Sequence, residues 1–268
     1  MNPVTAIPQP HAAGFALGAV MPFGRTLRAY AVEAKYESLR MLRAPAFAGP
    51  FLLLPAGLYL LFSVLLFGAE TAKDPGAALF MFVGFSVFGV MGPGLFGFGV
   101  TIATEREHGL LRLKRALPVS PAAPLVAKML MAMLFVVIIM ATMIAAAPLG
   151  HVRLGATQLL AMSAANIFGA LPFCALGFFV GSLASAKSAP AFSNLVYLPM
   201  IYLSGFLIPL PRSMMWIKLF SPAYHLHQIA LSAIGAPTEG IAGIHIAVLF
   251  GVTSVFTALA VRRIARVG

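Results

Sequence analysis

Residues 125–149, LVAKMLMAMLFVVIIMATMIAAAPL, form an apolar run of 25 residues in which the only charged side chain is Lys128. A hydrocarbon core about 30 Å thick is crossed by roughly 20 apolar residues in a helix. The run therefore predicts a transmembrane helix, with Lys128 close enough to one end for its long side chain to reach the membrane surface.

Five further stretches have the same character, so we predict six spans. The other five cover residues 46–67, 77–103, 158–183, 189–209 and 241–261. In the second, Gly92-Pro93-Gly94 predicts a kinked helix or a close approach of a neighbouring helix. The whole chain is 60% hydrophobic and 9% charged, whereas soluble domains have about a quarter charged residues. The predicted fold class is an all-α integral membrane protein.

The lysines and arginines outside the spans predict the orientation. With the N-terminus inside, 14 of them lie on the cytoplasmic side and 4 on the other side, and this asymmetry is typical of cytoplasmic loops. The basic residues lie in short loops and form no continuous face, so the net charge of +11 does not indicate nucleic-acid binding. We expect a multi-pass protein of the bacterial inner membrane with both termini in the cytoplasm.

Segments outside the spans divide the chain further. Residues 1–24 are predicted to be a flexible cytoplasmic tail, and residues 262–268 a basic cytoplasmic tail. Residues 25–45 have helical spacing of apolar side chains, with Glu37 among those predicted to face water or headgroups, and predict an amphipathic helix lying on the membrane surface. Within the transmembrane domain, residues 46–261, the stretch 210–240 predicts short re-entrant helices in the outer leaflet, broken at Pro222.

Several kinds of chemistry are disfavoured by what the chain lacks. Its single aspartate, Asp74, and seven acidic residues leave little scope for paired-carboxylate catalysis. The one cysteine, Cys174, cannot form a disulfide within the chain, and His225 and His227 have no nearby carboxylate or cysteine that would complete a metal site. We therefore predict neither catalytic residues nor a metal site.

The spans contain few polar groups at mid-membrane depth, where coupled carriers usually place ionisable side chains. The most polar candidates are Asn166, Asn194 and His245, and we expect each to hydrogen-bond between helices rather than to relay protons. No phosphate-binding loop of the form G-x-x-x-x-G-K-[ST] is present, so any ATP hydrolysis would belong to another polypeptide.

The cytoplasmic loop at residues 104–120 reads TEREHGLLRLKRALPVS. Thr104 and Glu107 have the spacing of a capping box, which predicts a short helix that starts there and ends at Pro118. Leu110, Leu113 and Leu117 would share one face of it. Such a helix, held between two spans, could dock into a groove on a soluble partner, and a solvated charged loop is the alternative.

At this point the sequence resembles a known family. The run EREHGLL at residues 105–111 with PVS at 118–120, after a glycine-rich second span, resembles the coupling loop of type-2 ABC exporter permeases. The run LSGFLIP at 203–209, followed by Trp216 and by SPAYH at 221–225, resembles a second signature of that family. Leu110 and His225 depart from the residues common in the family, which leaves the subfamily and the substrate open.

The resemblance implies a permease subunit that pairs with a second six-span permease, commonly an identical copy, and with two copies of an ATP-binding cassette subunit that bind ATP and magnesium. Residues 25–45 would be its elbow helix. It also implies three groups of site residues. The contact with the ATPase subunit would comprise Glu105, Arg106, Glu107, His108, Gly109, Leu110 and Arg112. A second cytoplasmic contact would comprise Lys187 and Ser188. The candidate pathway or dimer face comprises Phe96, Phe98, Asn194, Tyr197 and Met200.

The cargo and the mechanism are less determined by the sequence. Spans rich in Gly, Phe and Met suit a hydrophobic or amphipathic substrate, although the same residues could serve packing. Residues 92–99 and the start of the fifth span are plausible contact faces for a second permease subunit. The alternatives are a secondary carrier or channel that needs no ATPase, and a membrane enzyme, which the scarcity of acidic residues disfavours.

Overall fold

The structure is a computed structural model that describes residues 23–116, 122–205 and 215–267, and every regular element in these ranges is helical. The α-helices are α1 Phe23–Leu42, α2 Pro45–Leu60, α3 Gly68–Thr71, α4 Pro75–Gly92, α5 Gly99–Glu107, α6 Leu110–Ala116, α7 Ala123–Ala146, α8 Ala156–Phe168, α9 Ala170–Leu183, α10 Ala189–Ser204, α11 Pro222–Ala233 and α12 Ala242–Val267. Wider π-helical turns at Leu61–Leu66 and Pro93–Phe98 extend α2 and join α4 to α5, and short 3-10 helices cover Ala147–Gly150 and Ile217–Phe220.

Within the described residues, five continuous helices are long and apolar enough to cross a membrane. They cover Pro45–Leu66, Pro75–Glu107, Ala123–Gly150, Ala156–Leu183 and Ala242–Arg266. These correspond to the predicted spans one to four and six. The predicted fifth span begins as expected with α10, but this helix has 16 residues and rises about 24 Å. Residues 206–209, the rest of that predicted span, lie outside the described residues.

The observed bounds of three helices can be compared with the segments predicted outside the spans. A helix does precede the first span, as α1, and Pro45 starts the next helix; its position on the membrane surface remains a prediction. The last helix continues to Val267, so most of the predicted basic tail is helical. After residues 206–214, a 3-10 helix and then α11, which begins at Pro222, confirm the predicted short helices broken at that proline.

The second span is the centre of the bundle. In its most apolar stretch of 18 residues, 72% of the residues are buried, against 17% in the corresponding stretches of the first and last spans. It is predicted to kink or to approach a neighbour closely at its glycines, and both predictions are confirmed. The π-helical turn begins at Pro93, and a Cβ at Gly94 would lie 2.8 Å from the backbone nitrogen of Cys174.

Helix α9 meets this kinked segment backbone to backbone. Gly177 and Gly181, spaced as in a G-x-x-x-G motif, lie against the carbonyl oxygens of Gly94 and Gly99. Small residues permit this approach, and close packing is the main force between helices in lipid. Gly94 and Gly99 are therefore used within the chain, whereas a contact of the rest of residues 92–99 with a second permease remains a prediction.

We predict that Gly177→Ala destabilises the protein, because its new methyl group would meet the Gly94 carbonyl and Leu95. Overpacking of this kind costs about 1–3 kcal/mol. The measurement is the temperature at which the detergent-solubilised protein loses its monodisperse peak in size-exclusion chromatography. Gly251→Ala in α12 is the control, since a Cβ there meets nothing within 4 Å. Equal melting temperatures for the two variants would contradict the proposed contact.

Candidate functional site

Six charged side chains from four helices meet at the end of the second span, and we call them the charge cluster. They are Glu33, Glu37, Arg40, Glu105, Lys114 and Lys128. Three acids and three bases give the cluster a formal charge of zero. It joins α1 to the end of α5, to α6 and to the start of α7, helices that are up to 91 residues apart in the sequence.

Lys128 is the centre of the charge cluster and is fully buried. Its ammonium donates to Glu105 Oε1 at 2.9 Å and also pairs with Glu37 Oε1. The side chains of Glu105 and Glu37 are 2% and 6% exposed. A buried ion pair costs several kcal/mol in desolvation per ion, so each of these charges depends on the others for compensation.

More exposed members close the cluster on its outer side. Arg40 bridges Glu37 at 2.8 Å and Glu105 at 3.4 Å. Lys114 of α6 lies 2.8 Å from Glu33 and 3.6 Å from Glu105. Partial burial of Lys114 opposes its charged form, but the hydrogen bond that it donates to Glu33 and the surrounding carboxylates outweigh that effect and raise its pKa above the ordinary value. The ammonium of Lys114 therefore remains charged at neutral pH.

One expectation from the sequence is wrong here. Glu37 does not face water or headgroups, because its side chain is buried and pairs with that of Lys128, whereas the reach of Lys128 to the membrane surface remains a prediction. Helical spacing alone shows which residues share a face of α1, but it does not show that a lysine some 90 residues later will turn that face inward. A lone lysine within an apolar run is the one local signal that a carboxylate is needed nearby.

The predicted coupling helix also begins elsewhere. Thr104 is no N-cap, since its hydroxyl donates to the Val100 carbonyl at 2.8 Å in the middle of a continuous helix. The long second span ends at Glu107, and the chain turns at Gly109, whose φ is +71°. The separate short helix is α6, from Leu110, while residues 117–120 lie outside the described residues. The capping-box spacing was misleading because the preceding apolar helix simply continues through it.

The remaining predicted contact residues divide into inward and outward groups. Glu105 is buried in the charge cluster, and Arg106 turns back to donate to the carbonyls of Ser182 and Ala184, the latter at 2.6 Å. Glu107 and His108 are exposed. Arg112 lies on α6, and its side chain is outside the described part of the structure.

The two predicted cytoplasmic contacts lie side by side. A carboxylate oxygen of Glu107 accepts from the backbone nitrogen of Ala186 at 2.6 Å. Ala186 belongs to the short turn 185–188, in which Ser185 and Ser188 bond each other's hydroxyl and backbone groups, and Lys187 is exposed beside it. The turn after the second span and the turn after the fourth span thus form one surface.

An apolar ridge projects from this surface. Leu110 and Leu113 on α6 are 41% and 65% exposed, and Leu113 lies between Arg112 and Lys114 in the sequence. That they share an exposed face agrees with the predicted helical spacing, whereas Leu117 lies outside the described residues. Exposed leucines between charges are a common feature of contact sites for a soluble partner.

A second feature is a cleft of about 240 Å³ between α2, α4 and α10. Three of the predicted pathway residues, Phe96, Asn194 and Tyr197, line it together with Phe51 and Phe88. The Tyr197 ring lies 5.4 Å from that of Phe96 and 5.7 Å from that of Phe88. The cleft is therefore aromatic with a single amide, a lining that suits an amphipathic molecule.

The other two predicted pathway residues lie elsewhere. Phe98 is buried against Phe178, with ring centroids 5.6 Å apart, and Met200 belongs to the main hydrophobic core. Phe51 was missed in the sequence, because only the pairing of α2 with α4 brings it to the cleft. The local sign of that contact in the sequence was Gly92, because a Cβ added at this position would meet the Phe51 ring.

Asn166, Asn194 and His245 are predicted to hydrogen-bond between helices, and two of the three do so. Asn166 donates to the Ser86 hydroxyl at 3.0 Å and to the Met140 sulfur at 3.3 Å, which links α8 to α4 and α7. His245 contacts His225 of α11 at 2.7 Å. Asn194 instead lies exposed on the cleft.

We predict that Lys128→Met strongly destabilises the protein, because Glu37 and Glu105 would remain buried without their shared cation. Removal of one partner from a buried pair costs about 3–5 kcal/mol. Glu105→Gln in the same chain restores the charge balance, so the double variant should melt at a higher temperature than Lys128→Met alone. Lys35→Met, at an exposed position of α1, is the control. Additive effects of the two cluster substitutions would contradict the coupling.

Comparison with known proteins identifies the family. Residues 29–235 match the ABC-2 type transporter family. The chain is also 26% identical, over 208 residues, to a Bacillus subtilis (strain 168) protein named "Putative transport permease YvfS", a match that covers 75% of this chain and 84% of the relative. Together with the five apolar helices that could span a membrane, these matches show that the chain belongs to the ABC-2 type transporter family, as a membrane-spanning transport permease that is not an enzyme by itself.

Proposed function

We propose that this chain is the permease subunit of an ATP-driven exporter whose ATP and magnesium are bound by two copies of a separate ATP-binding cassette subunit. The observation that carries the proposal is the single cytoplasmic surface formed by Glu107, His108, Gly109, the leucine ridge of α6 and Lys187. It is exposed, it mixes charged and apolar groups, and it is attached at once to the second, third and fourth spans.

The charge cluster supports this assignment by making the surface rigid. Glu105 would act from within, by holding α6 and α1 in place, while Glu107 and the leucine ridge would touch the ATPase subunit. A displacement of α6 would then move α1 and the start of α7 with it. Rigid attachment of this kind is what a subunit needs if closure of its ATPase partner is to be converted into movement of the spans.

The orientation and topology of the proposal follow the charge distribution. The leucine ridge lies beside the lysine- and arginine-rich ends of the spans, which the sequence places in the cytoplasm of a bacterial inner membrane. With α10 and the residues that follow it as the fifth span, both termini are cytoplasmic and the count of spans is six. Helix α1 would then lie along the inner membrane surface as the elbow helix, and α11 within the outer leaflet.

We predict that Leu113→Glu removes the ATP-binding subunit from the purified complex. Leu113 is 65% exposed, so its replacement leaves folding unchanged, and loss of a central contact of about 2 kcal/mol would lower retention more than tenfold. The measurement is the amount of ATP-binding subunit that co-purifies with the tagged chain from native membranes, by quantitative mass spectrometry.

The control is Leu219→Glu, a leucine of comparable exposure, 53%, beyond the opposite end of the second span. It should retain the ATPase in full. If the wild-type chain purifies intact under mild detergent without any ATP-binding subunit, the exporter assignment fails and an ATP-independent carrier or channel takes its place.

The cleft between α2, α4 and α10 is the proposed start of the pathway. Its outer rims continue into exposed apolar faces, with Leu54 on α2 and Leu195 and Leu198 on α10. A single chain encloses only about 240 Å³ there, less than most sites for drug-sized ligands. A second, identical permease that packs on these faces would complete the path, and the aromatic lining favours a hydrophobic or amphipathic cargo.

We predict that Asn194→Trp blocks transport without loss of the ATPase partner, because the indole would fill the cleft that Asn194 lines. Leu160→Trp on α8 is the control, since Leu160 is 71% exposed and belongs neither to the cleft nor to the faces proposed for the second permease. The measurement is efflux of ethidium, Hoechst 33342 and a short-chain fluorescent phospholipid from vesicles that contain the full complex. Efflux by Asn194→Trp at the wild-type rate would remove the cleft from the pathway.

A further inference from the structure

Two buried histidines face each other where α11 meets the first turn of α12. His225 and His245 are 2% and 4% exposed. Their Nδ1 atoms are 2.7 Å apart, and their ring centroids are 5.0 Å apart. The contact lies at the opposite end of the second span from the charge cluster, because the neighbouring His227 packs on Phe80 near the start of α4.

The outer nitrogen of each ring faces a backbone carbonyl. His225 Nε2 lies 2.8 Å from the oxygen of Leu219, and His245 Nε2 lies 2.7 Å from the oxygen of Glu239. A carbonyl oxygen can only accept, so each Nε2 must bear a proton. In a neutral imidazole only one nitrogen is protonated, and the two Nδ1 atoms would then present lone pairs to each other.

A nitrogen–nitrogen distance of 2.7 Å requires a proton between the atoms. We propose that His225 and His245 form a buried binding site for one proton, which they share through their Nδ1 atoms and which joins α11 to the last helix. The pair then bears one positive charge. With no added proton two lone pairs face each other, and with two added protons two cationic N–H groups do, so only the singly protonated pair is bonded.

Next to the pair lie a tyrosine ring and an ion pair whose charges cancel. The ring of Tyr224 meets both histidine rings edge to face, and its hydroxyl donates to the Glu239 carboxylate at 3.0 Å. The hydrogen bond from Lys218, helped by that of Tyr224 and opposed by partial burial, lowers the pKa of Glu239 below its ordinary value, so this carboxylate stays ionised. Lys218 and Glu239 neutralise each other as an ion pair.

Other elements packed on α11 contribute few ionisable groups. Helices α4 and α8 have none, and α10 has only the phenols of Tyr197 and Tyr202. On α12 the nearest is His245 itself, since the arginines of that helix lie at its far end. His227, on α11, contacts the carbonyl of Phe80 and is the one other histidine on this helix.

The shared proton makes the α11–α12 contact depend on pH in both directions. Below the range in which histidine titrates, the unfolded chain binds a proton on each of the two histidines while the folded pair holds one, so stability falls as the pH falls. Above that range the folded pair holds a proton that the unfolded chain has released, so stability falls as the pH rises. In the proposed orientation, the stability of this α11–α12 contact would depend on the pH outside the cell.

The test compares melting temperatures of the full-length protein in detergent from pH 5 to pH 9. The wild type is compared with the double variant His225→Gln/His245→Gln. The difference between them should pass through a maximum and fall by about 2–4 °C on either side, the shift that about 1 kcal/mol produces. His151→Asn, at an exposed histidine with φ of +63° that asparagine tolerates, should follow the wild type. A difference that does not vary with pH would overturn the proposal.

A direct measurement covers the case in which the double variant fails to fold. In wild-type protein labelled with ¹⁵N-histidine, solid-state NMR at the pH of greatest stability should show a correlation between two Nδ1 atoms through their common proton. The single variant His245→Gln should lack it. Absence of that correlation in the wild type across the whole pH range would likewise overturn the shared proton.

Discussion

Lys128 imposes a constraint on the half of the structure that contains the charge cluster. Its ammonium is fully buried within an apolar helix, where an unpaired charge would be too costly to keep. Glu37 and Glu105 provide the compensation, and each of them brings a helix with it. The position of α1 against α7, and of the end of the second span against both, therefore follows from one electrostatic requirement rather than from surface area alone.

Within the membrane the corresponding constraint is steric. Helix α9 can reach the second span only because Gly177 and Gly181 face Gly94 and Gly99. This contact fixes the fourth span where the second is kinked, and it leaves the other side of the kink, at Phe96, open to the cleft. Ionic pairing at one end and glycine packing in the middle thus hold the same long helix, whose far end lies beside the histidine pair.

The sequence predicted what depends on local composition, and missed what depends on distant partners. Five of the spans agree with the described helices to within a few residues, because the length of an apolar run is a direct consequence of bilayer thickness. The helix before Pro45 and the helix after Pro222 were likewise visible. The inward orientation of Glu37 and Glu105 was not, since their partner lies 91 and 23 residues away. The capping-box spacing at Thr104 predicted a helix start in a place where tertiary packing carries the preceding helix onward.

Among the site residues, Phe96, Asn194 and Tyr197 were predicted together and do share a cleft, whereas Phe98 and Met200 lie on faces that only the packing of α9 and α11 determines.

The two ends of the second span differ in how they would respond to their surroundings. The charge cluster pairs three acidic with three basic side chains, and we expect it to form a permanent joint between α1, α6 and α7. The histidine pair at the other end bonds in one protonation state alone, which makes it a joint that can open. If the cytoplasmic joint is fixed and the external one conditional, a displacement of α6 by an ATPase partner would be transmitted without loss as far as the kink at Pro93–Phe98. Beyond the kink, its effect would depend on whether α11 and α12 are held together. The cleft lies between the charge cluster and the histidine pair. A pathway that opens alternately to the two sides of the membrane would need to lie there.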